Sequence, residues 1–192
     1  MYKKLFERNK NFVEGKLESY DFVKSRINNS ASQNPHTIVV TCSDSRVVPE
    51  FIFNCDLGEI FVIRTAGNIL CDVALGTVEF AMISFDIKQI IVMGHTNCGA
   101  VQAALDGNSS TKYLKSISEE LRPIVNVGLE LFSNRKEILH YSIIQNVKKQ
   151  LDKLQTLELV KERWNKGELY LIPAIYHLDS GLVELLNDYR WK

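Results

Sequence analysis

Three short runs of mostly β-branched residues constrain this chain most: Thr37-Ile38-Val39-Val40-Thr41, Ile60-Phe61-Val62-Ile63 and Gln89-Ile90-Ile91-Val92-Met93. Each is continuously apolar rather than alternating. A strand of that kind buries both faces, which requires a parallel sheet covered by helices on each side. Leu169-Tyr170-Leu171-Ile172 reads as a fourth strand. Pro173 has no N–H to give to a ladder, so this strand is expected to end, bulge or lie at an edge there. Between the strands, Leu75, Val78, Met82 and Phe85 fall on one helical face, as do Ile144, Val147, Leu151 and Leu154. The alternation predicts an α/β fold with a mainly parallel β-sheet core flanked by helices. In such sheets ligands bind at the carboxyl ends of the strands, near a switch in strand order.

Residues 1–34 are polar with scattered aromatics and are expected to form an N-terminal helical arm of one or two helices, ahead of an α/β domain over 35–192. Leu17, Tyr20 and Phe22 hint at an amphipathic face, and Asn28–Pro35 reads as a loop. A length of 192 residues suits one domain with an added arm, and a 45% hydrophobic fraction supplies its core. The formal net charge of zero removes the electrostatic case for nucleic acid or an anionic membrane as partner. The N-terminus lacks an apolar signal region and no run approaches the roughly 20 residues that span a bilayer, so a cytoplasmic protein is expected. Thiols stay reduced there, so Cys42, Cys55, Cys71 and Cys98 are read as metal ligands or buried thiols rather than disulfides.

The first strand runs into Cys42-Ser43-Asp44-Ser45-Arg46 and the third into Gly94-His95-Thr96-Asn97-Cys98-Gly99-Ala100. Parallel neighbours would set both loops at one end of the sheet, where two thiolates and an imidazole converge. Two cysteines and one histidine form a ligand set for catalytic zinc, with the fourth position open. Sulfur and imidazole favour zinc over magnesium, calcium or manganese. His95 and Cys98 are three apart, so one turn can aim both, and Gly94, Gly99 and Ala100 leave room for close backbone approach. Two other readings stay open on these residues alone. They are buried thiols beside a hydrogen-bonded histidine, or a closed structural zinc site with Cys55 or Cys71 as fourth ligand. Both of these cysteines otherwise read as buried thiols. Asp44 is placed to approach the metal or its water, with Arg46 holding it by a bidentate pair. The alternative is a loop aspartate capping a helix that starts near Val48, with Arg46 in solvent.

Taken together, the motifs at 42–46, at Phe61–Asn68 (Phe-Val-Ile-Arg-Thr-Ala-Gly-Asn) and at Gly94–Ala100 resemble the β-carbonic anhydrase family in order and spacing. The likeness extends to Gly76–Phe80, Asn146–Leu151 and Ala174–Gly181, and covers the chain from Gln33 to Leu186. The resemblance implies one Zn2+ per chain on Cys42, His95 and Cys98. It implies an Asp44–Arg46 dyad in which the aspartate can swing onto zinc as a fourth ligand in a closed, inactive state. It matches Gln33 to the amide that hydrogen-bonds the substrate oxygen, and Phe61, Phe80 and Ala66 to the substrate pocket. It implies reversible hydration of carbon dioxide to bicarbonate and a proton, by attack of a zinc-held hydroxide. It further implies a homodimer or higher homo-oligomer with sites at the subunit interface, wrapped by the arm over 1–34. Thr65, His177 and Pro173 depart from the family pattern and bear on local hydrogen bonds and oligomer contacts. His36, His140 and His177 are candidate proton shuttles or plain surface histidines. A hydrolase of carbonyl sulfide or carbon disulfide, and a zinc-stabilised interaction module, are the alternative functions.

Overall fold

Five strands form one sheet in the order β2-β1-β3-β4-β5 in the computed structural model, which describes residues 2–108 and 110–186. They are β1 Thr37–Cys42, β2 Ile60–Thr65, β3 Gln89–His95, β4 Tyr170–Tyr176 and β5 Val183–Leu185. The first four pair in parallel and β5 runs antiparallel to β4. Every residue of β1 and β3 is buried, as continuous apolar runs require.

Successive side chains alternate between two core layers. Ile38, Val40, Ile90 and Val92 pack on one face beneath α4 Asp72–Ser84, α5 Gly99–Leu105, α6 Lys112–Leu131, α7 Arg135–Leu154 and α8 Glu158–Asn165. Val39, Ile91, Met93 and Ile172 pack on the other, beneath α1 Tyr2–Val13 and α3 Pro49–Ile52. Each such fully buried side chain stabilises the fold by about 1.5–3 kcal/mol relative to exposure. The predicted helical faces hold except at Phe85, which lies just past α4 in extended backbone: Val78 and Met82 on α4, and Val147, Leu151 and Leu154 on α7, are buried, and Leu75 and Ile144 are half-buried against the same core.

The strand order reverses at β1, because β2 lies on one side of it and β3 on the other. The carboxyl ends of β1 and β3 therefore meet at the switch point, where a ligand site is expected.

Two sequence expectations are corrected and one is narrowed. Pro173 neither ends nor bulges β4, which continues to Tyr176, but it does lie where β4 is an edge, because β5 pairs with β4 only from Ala174. The Pro173 carbonyl accepts from the Leu186 N–H at 3.1 Å, but Pro173 has no N–H to return, so the β5 ladder stops at Leu185. Leu17 and Tyr20 lie in the non-helical link between α1 and α2 Phe22–Asn28, so they form no helical face with Phe22. Cys71 is exposed at the start of α4, while Cys55 is buried as expected.

The arm divides in two. α1 is fastened to its own chain, with Asn9 fully buried and donating from Nδ2 to the carbonyls of Ile52 (3.1 Å) and Gly181 (2.9 Å). Its Oδ1 accepts from the Val183 N–H at 2.8 Å. Arg8 donates to both Glu59 oxygens at 3.2 and 3.0 Å. By contrast, α2 buries no residue and leaves Phe22, Val23 and Ile27 exposed.

Candidate metal centre

Cys42 is the last residue of β1 and His95 the last of β3. Asn97 adopts a left-handed φ of 57°, which reverses the chain and returns Cys98 to the same point as the residue before α5. The pair His95 and Cys98 therefore sits on a strand end and a helix start rather than on one helical turn. Gly94 earns its place, because a Cβ there would lie 2.8 Å from the Val147 Cγ2 and 3.1 Å from the Ile175 Cδ1. Gly99 does not: nothing lies within 4 Å of the position its Cβ would take.

The Cys42, His95 and Cys98 ligand atoms all lie within 4.8 Å of one another, and the two sulfurs are 3.9 Å apart. The three residues are 4%, 0% and 2% exposed, too little for water to satisfy them. His95 Nδ1 lies 2.9 Å from the Thr96 carbonyl, which makes it the N–H nitrogen and leaves the lone pair on Nε2. That Nε2 is buried and has no hydrogen-bond partner. An orphaned buried nitrogen costs about 1–3 kcal/mol unless something binds it. A lone pair beside two thiols, with its tautomer set from behind, fits a tetrahedral thiophilic cation such as zinc. Of the two thiols, Cys42 ionises first. The Cys98 thiol donates to it, and the Asp44 and Gly67 N–H groups add to the stabilisation, so its pKa is lowered against the opposing effect of burial. Cys98 is held in its protonated form by its bond to Cys42 and by burial.

Asp44 and Arg46 form the predicted pair. Arg46 Nε donates to Oδ1 at 2.9 Å, Nη2 to Oδ2 at 2.8 Å, and the Arg46 backbone N–H to Oδ1 at 3.0 Å. The Asp44 side chain caps no helix: α3 begins at Pro49 after Val48, with no side-chain cap. Sequence reasoning missed Arg64, which donates from Nε to the Cys42 carbonyl (3.2 Å) and from Nη2 to the Asp44 carbonyl (2.7 Å). It lies inside the Phe61–Asn68 motif, so the signal was present but had no role attached. Also missed was the Gly67 N–H, which donates to Cys42 Sγ at 3.3 Å.

The remaining site residues do not all converge within one chain. Ala66 follows Thr65, the residue opposite Cys42, and lines a cavity of about 680 Å³ with Ile69, Leu70 and Val73. Phe61 pairs with Ile38, four residues back along β2 from Thr65, or about 13 Å by strand rise. It stacks instead with Phe80 and Phe85, at centroid distances of 6.4 and 5.9 Å. Gln33 is exposed ahead of β1, at the opposite end of that strand from Cys42. Of the other histidines, His36 lies before β1, whereas His140 and His177 share a cavity of about 380 Å³ beside Thr96 and Asn97. Neither Cys55 nor Cys71 joins the ligand cluster; among the described residues it holds three members.

The carbonic anhydrase family profile matches residues 37–183, and over 94% of its length the chain is 32% identical to carbonic anhydrase 2 of Mycobacterium tuberculosis, covering 88% of that protein. The chain belongs to the β-carbonic anhydrase family. The solved β-carbonic anhydrase CcaA is 30% identical, with a TM-score of 0.76 over 96% of this chain and 94% of that one. The β-carbonic anhydrase CafA of Aspergillus fumigatus is 29% identical, with a TM-score of 0.79 over 88% and 86% of the two chains. The fold expected from the sequence is the β-carbonic anhydrase fold, and family membership makes the chain a lyase of the carbonic anhydrase type. Its parallel sheet supplies the switch point, and the family's motifs bring Cys42, His95 and Cys98 together there.

Proposed function

We propose that this chain hydrates carbon dioxide reversibly to bicarbonate and a proton, with one zinc ion on Cys42, His95 and Cys98. One observation carries the reading: the buried, unpartnered Nε2 of His95 faces two thiols at the end of two parallel strands. When bound, zinc supplies the Lewis acidity that makes water a nucleophile near neutral pH. The protein's own groups do the rest. Asp44 Oδ2 lies 4.0 Å from His95 Nε2, close enough to accept a hydrogen bond from the nucleophile and aim its lone pair. Arg46 holds Asp44 by two side-chain bonds, and would so keep its carboxylate off a metal held by the three ligands. That arrangement supports an open site rather than one closed by Asp44.

Gln33 and Phe61 lie too far along the strands to serve the metal of their own chain. We assign them, with Phe80, to the site of a second copy, and with it a homodimer or higher homo-oligomer. The exposed apolar residues support this: Phe22, Val23 and Ile27 on α2, and Val73, Phe80 and Ile83 on α4. In this reading α2, not α1, is the part of the arm that reaches the partner. A cytoplasmic location is kept as part of the proposal; among the described residues no helix is long and apolar enough to cross a membrane.

Stopped-flow hydration of carbon dioxide at pH 8 or above, with zinc measured on the same sample, tests the proposal. Fast turnover with one zinc per chain is expected. Carbonyl sulfide and carbon disulfide assayed alongside separate the sister hydrolases. Zinc-replete protein inactive on all three would overturn the reading in favour of an interaction module.

A further inference from the structure

The Asn146–Leu151 motif takes no part in the chemistry above, yet it is among the most buried polar sequence in the molecule. Asn146 and Gln150 are 1% and 0% exposed on α7. Their side chains form a continuous ladder. Gln150 Nε2 donates to Asn146 Oδ1 at 2.9 Å, and Asn146 Nδ2 donates to the Gly67 carbonyl at 2.7 Å and to Asn68 Oδ1 at 3.4 Å. The Leu70 N–H donates back to Gln150 Oε1 at 2.9 Å. One turn further on, Lys153 Nζ donates to the Leu70 carbonyl at 3.2 Å. Three side chains of a single helix face thus bond one four-residue loop, 67–70.

That loop needs holding. Gly67 and Asn68 have successive left-handed φ values of 65° and 48°, a conformation that costs a non-glycine residue about 1–2 kcal/mol. A Cβ on Gly67 would lie 3.2 Å from the Ala100 Cβ, so the loop also sits hard against the start of α5. The result of this strained turn is one bond: the Gly67 N–H points at Cys42 Sγ. The same helix packs Val147 against Gly94, next to the ligand His95. α7 therefore braces the backbone beside two of the three metal ligands.

We propose that Asn146 and Gln150 are positioning residues for the metal ligand Cys42, acting through the Gly67 N–H. This rests on the metal reading above and adds to it a control on the sulfur. An N–H···S bond draws charge from a thiolate, so the metal receives less from that ligand and stays more acidic. Loss of the ladder lets the loop relax, removes the N–H from Sγ, and leaves Cys42 both less well placed and more strongly donating.

The test is Asn146→Leu and Gln150→Leu, with Gln89→Leu as control. Gln89 is an equally buried amide, but it bonds Thr37 Oγ1 at 2.7 Å at the opposite end of the sheet. Two readouts are needed: zinc affinity by chelator competition, and the thiolate-to-cobalt charge-transfer band of cobalt-substituted protein. We expect the two α7 variants to lose about 10–100-fold in zinc affinity and to shift the band. Gln89→Leu should lower thermal stability and leave both readouts at wild-type values. Should Asn146→Leu not fold, Asn146→Ser, which also falls short of the Gly67 carbonyl, gives the same comparison. An unchanged band and affinity in the folded Asn146 variant overturns the assignment, as does an equal change in Gln89→Leu. Wild-type protein that takes up no cobalt with a thiolate band would overturn the metal reading itself and the assignment with it.

Discussion

The Asp44 carboxylate is gripped by Arg46, two residues away in the same loop, through Nε at 2.9 Å and Nη2 at 2.8 Å, and Asp44 Oδ2 is thereby held 4.0 Å from His95 Nε2. The guanidinium bonds hold the Asp44 carboxyl well below the usual carboxylate range, against the opposing effect of partial burial. A depressed carboxylate contributes its stabilisation above the unfolded pKa, about 3.9, and loses it as pH falls through the lower folded value. The grip thus persists throughout the neutral range. Arg46→Ala should release Asp44 toward the metal and cut turnover about 10–100-fold with zinc retained. Arg46→Lys, a point charge without the planar fork, should restore little of it. Metal analysis and stopped-flow rates on the same samples decide this.

Ligand and dyad substitutions should separate cleanly. Cys42→Ala removes one of three ligands and should lose both zinc and activity. Asp44→Asn keeps the shape but not the charge, and should keep zinc while losing most of the turnover. Full activity in Asp44→Asn would remove Asp44 from the mechanism.

Cys55 sets an alkaline limit. Burial, with Glu59 nearby, pushes its thiol up from the ordinary 9.0 to about 12. The folded state then keeps a proton that the unfolded chain gives up, so stability is full below pH 9 and falls as pH rises from about 9 to about 12. Denaturant unfolding at stepped pH should show this slope in the wild type and a shallower one in Cys55→Ala.

Asn9 should matter to stability more than its place near the chain's start suggests. Asn9→Ala leaves the buried Val183 N–H without its acceptor and the Ile52 and Gly181 carbonyls without this donor. A loss of about 2–4 kcal/mol in denaturant unfolding is expected, because buried groups left unpaired lose their solvation as well as their bond.

Assignment of Gln33 to a partner's site predicts complementation. A chain with Gln33→Ala supplies a sound metal centre, and a chain with Cys42→Ala supplies a sound Gln33. Co-folded hybrids should hydrate carbon dioxide faster than either variant alone. Activity no greater than the mean of the two parents would place Gln33 outside the site.

The continuous β-branched runs determined β1 and β3 by themselves, because a strand buried on both faces leaves its mark on every residue of the run. The Cys-His-Cys cluster was legible for a related reason. Cys42 and His95 end the strands that the runs define, Cys98 follows three residues after the second, and the parallel sheet brings those ends together. Arg64, Gly67, Asn146 and Gln150 were not legible as parts of the site. Each makes its bond to a group far away in sequence, and local pattern carries no record of a partner's position. The same holds for Pro173, which β4 accommodates because its β5 pairing stops there, and for Cys71, which α4 turns to the surface. Composition and periodicity record which face of an element is apolar. Only the tertiary structure decided which polar groups are buried against one another, because that depends on how separate elements pack.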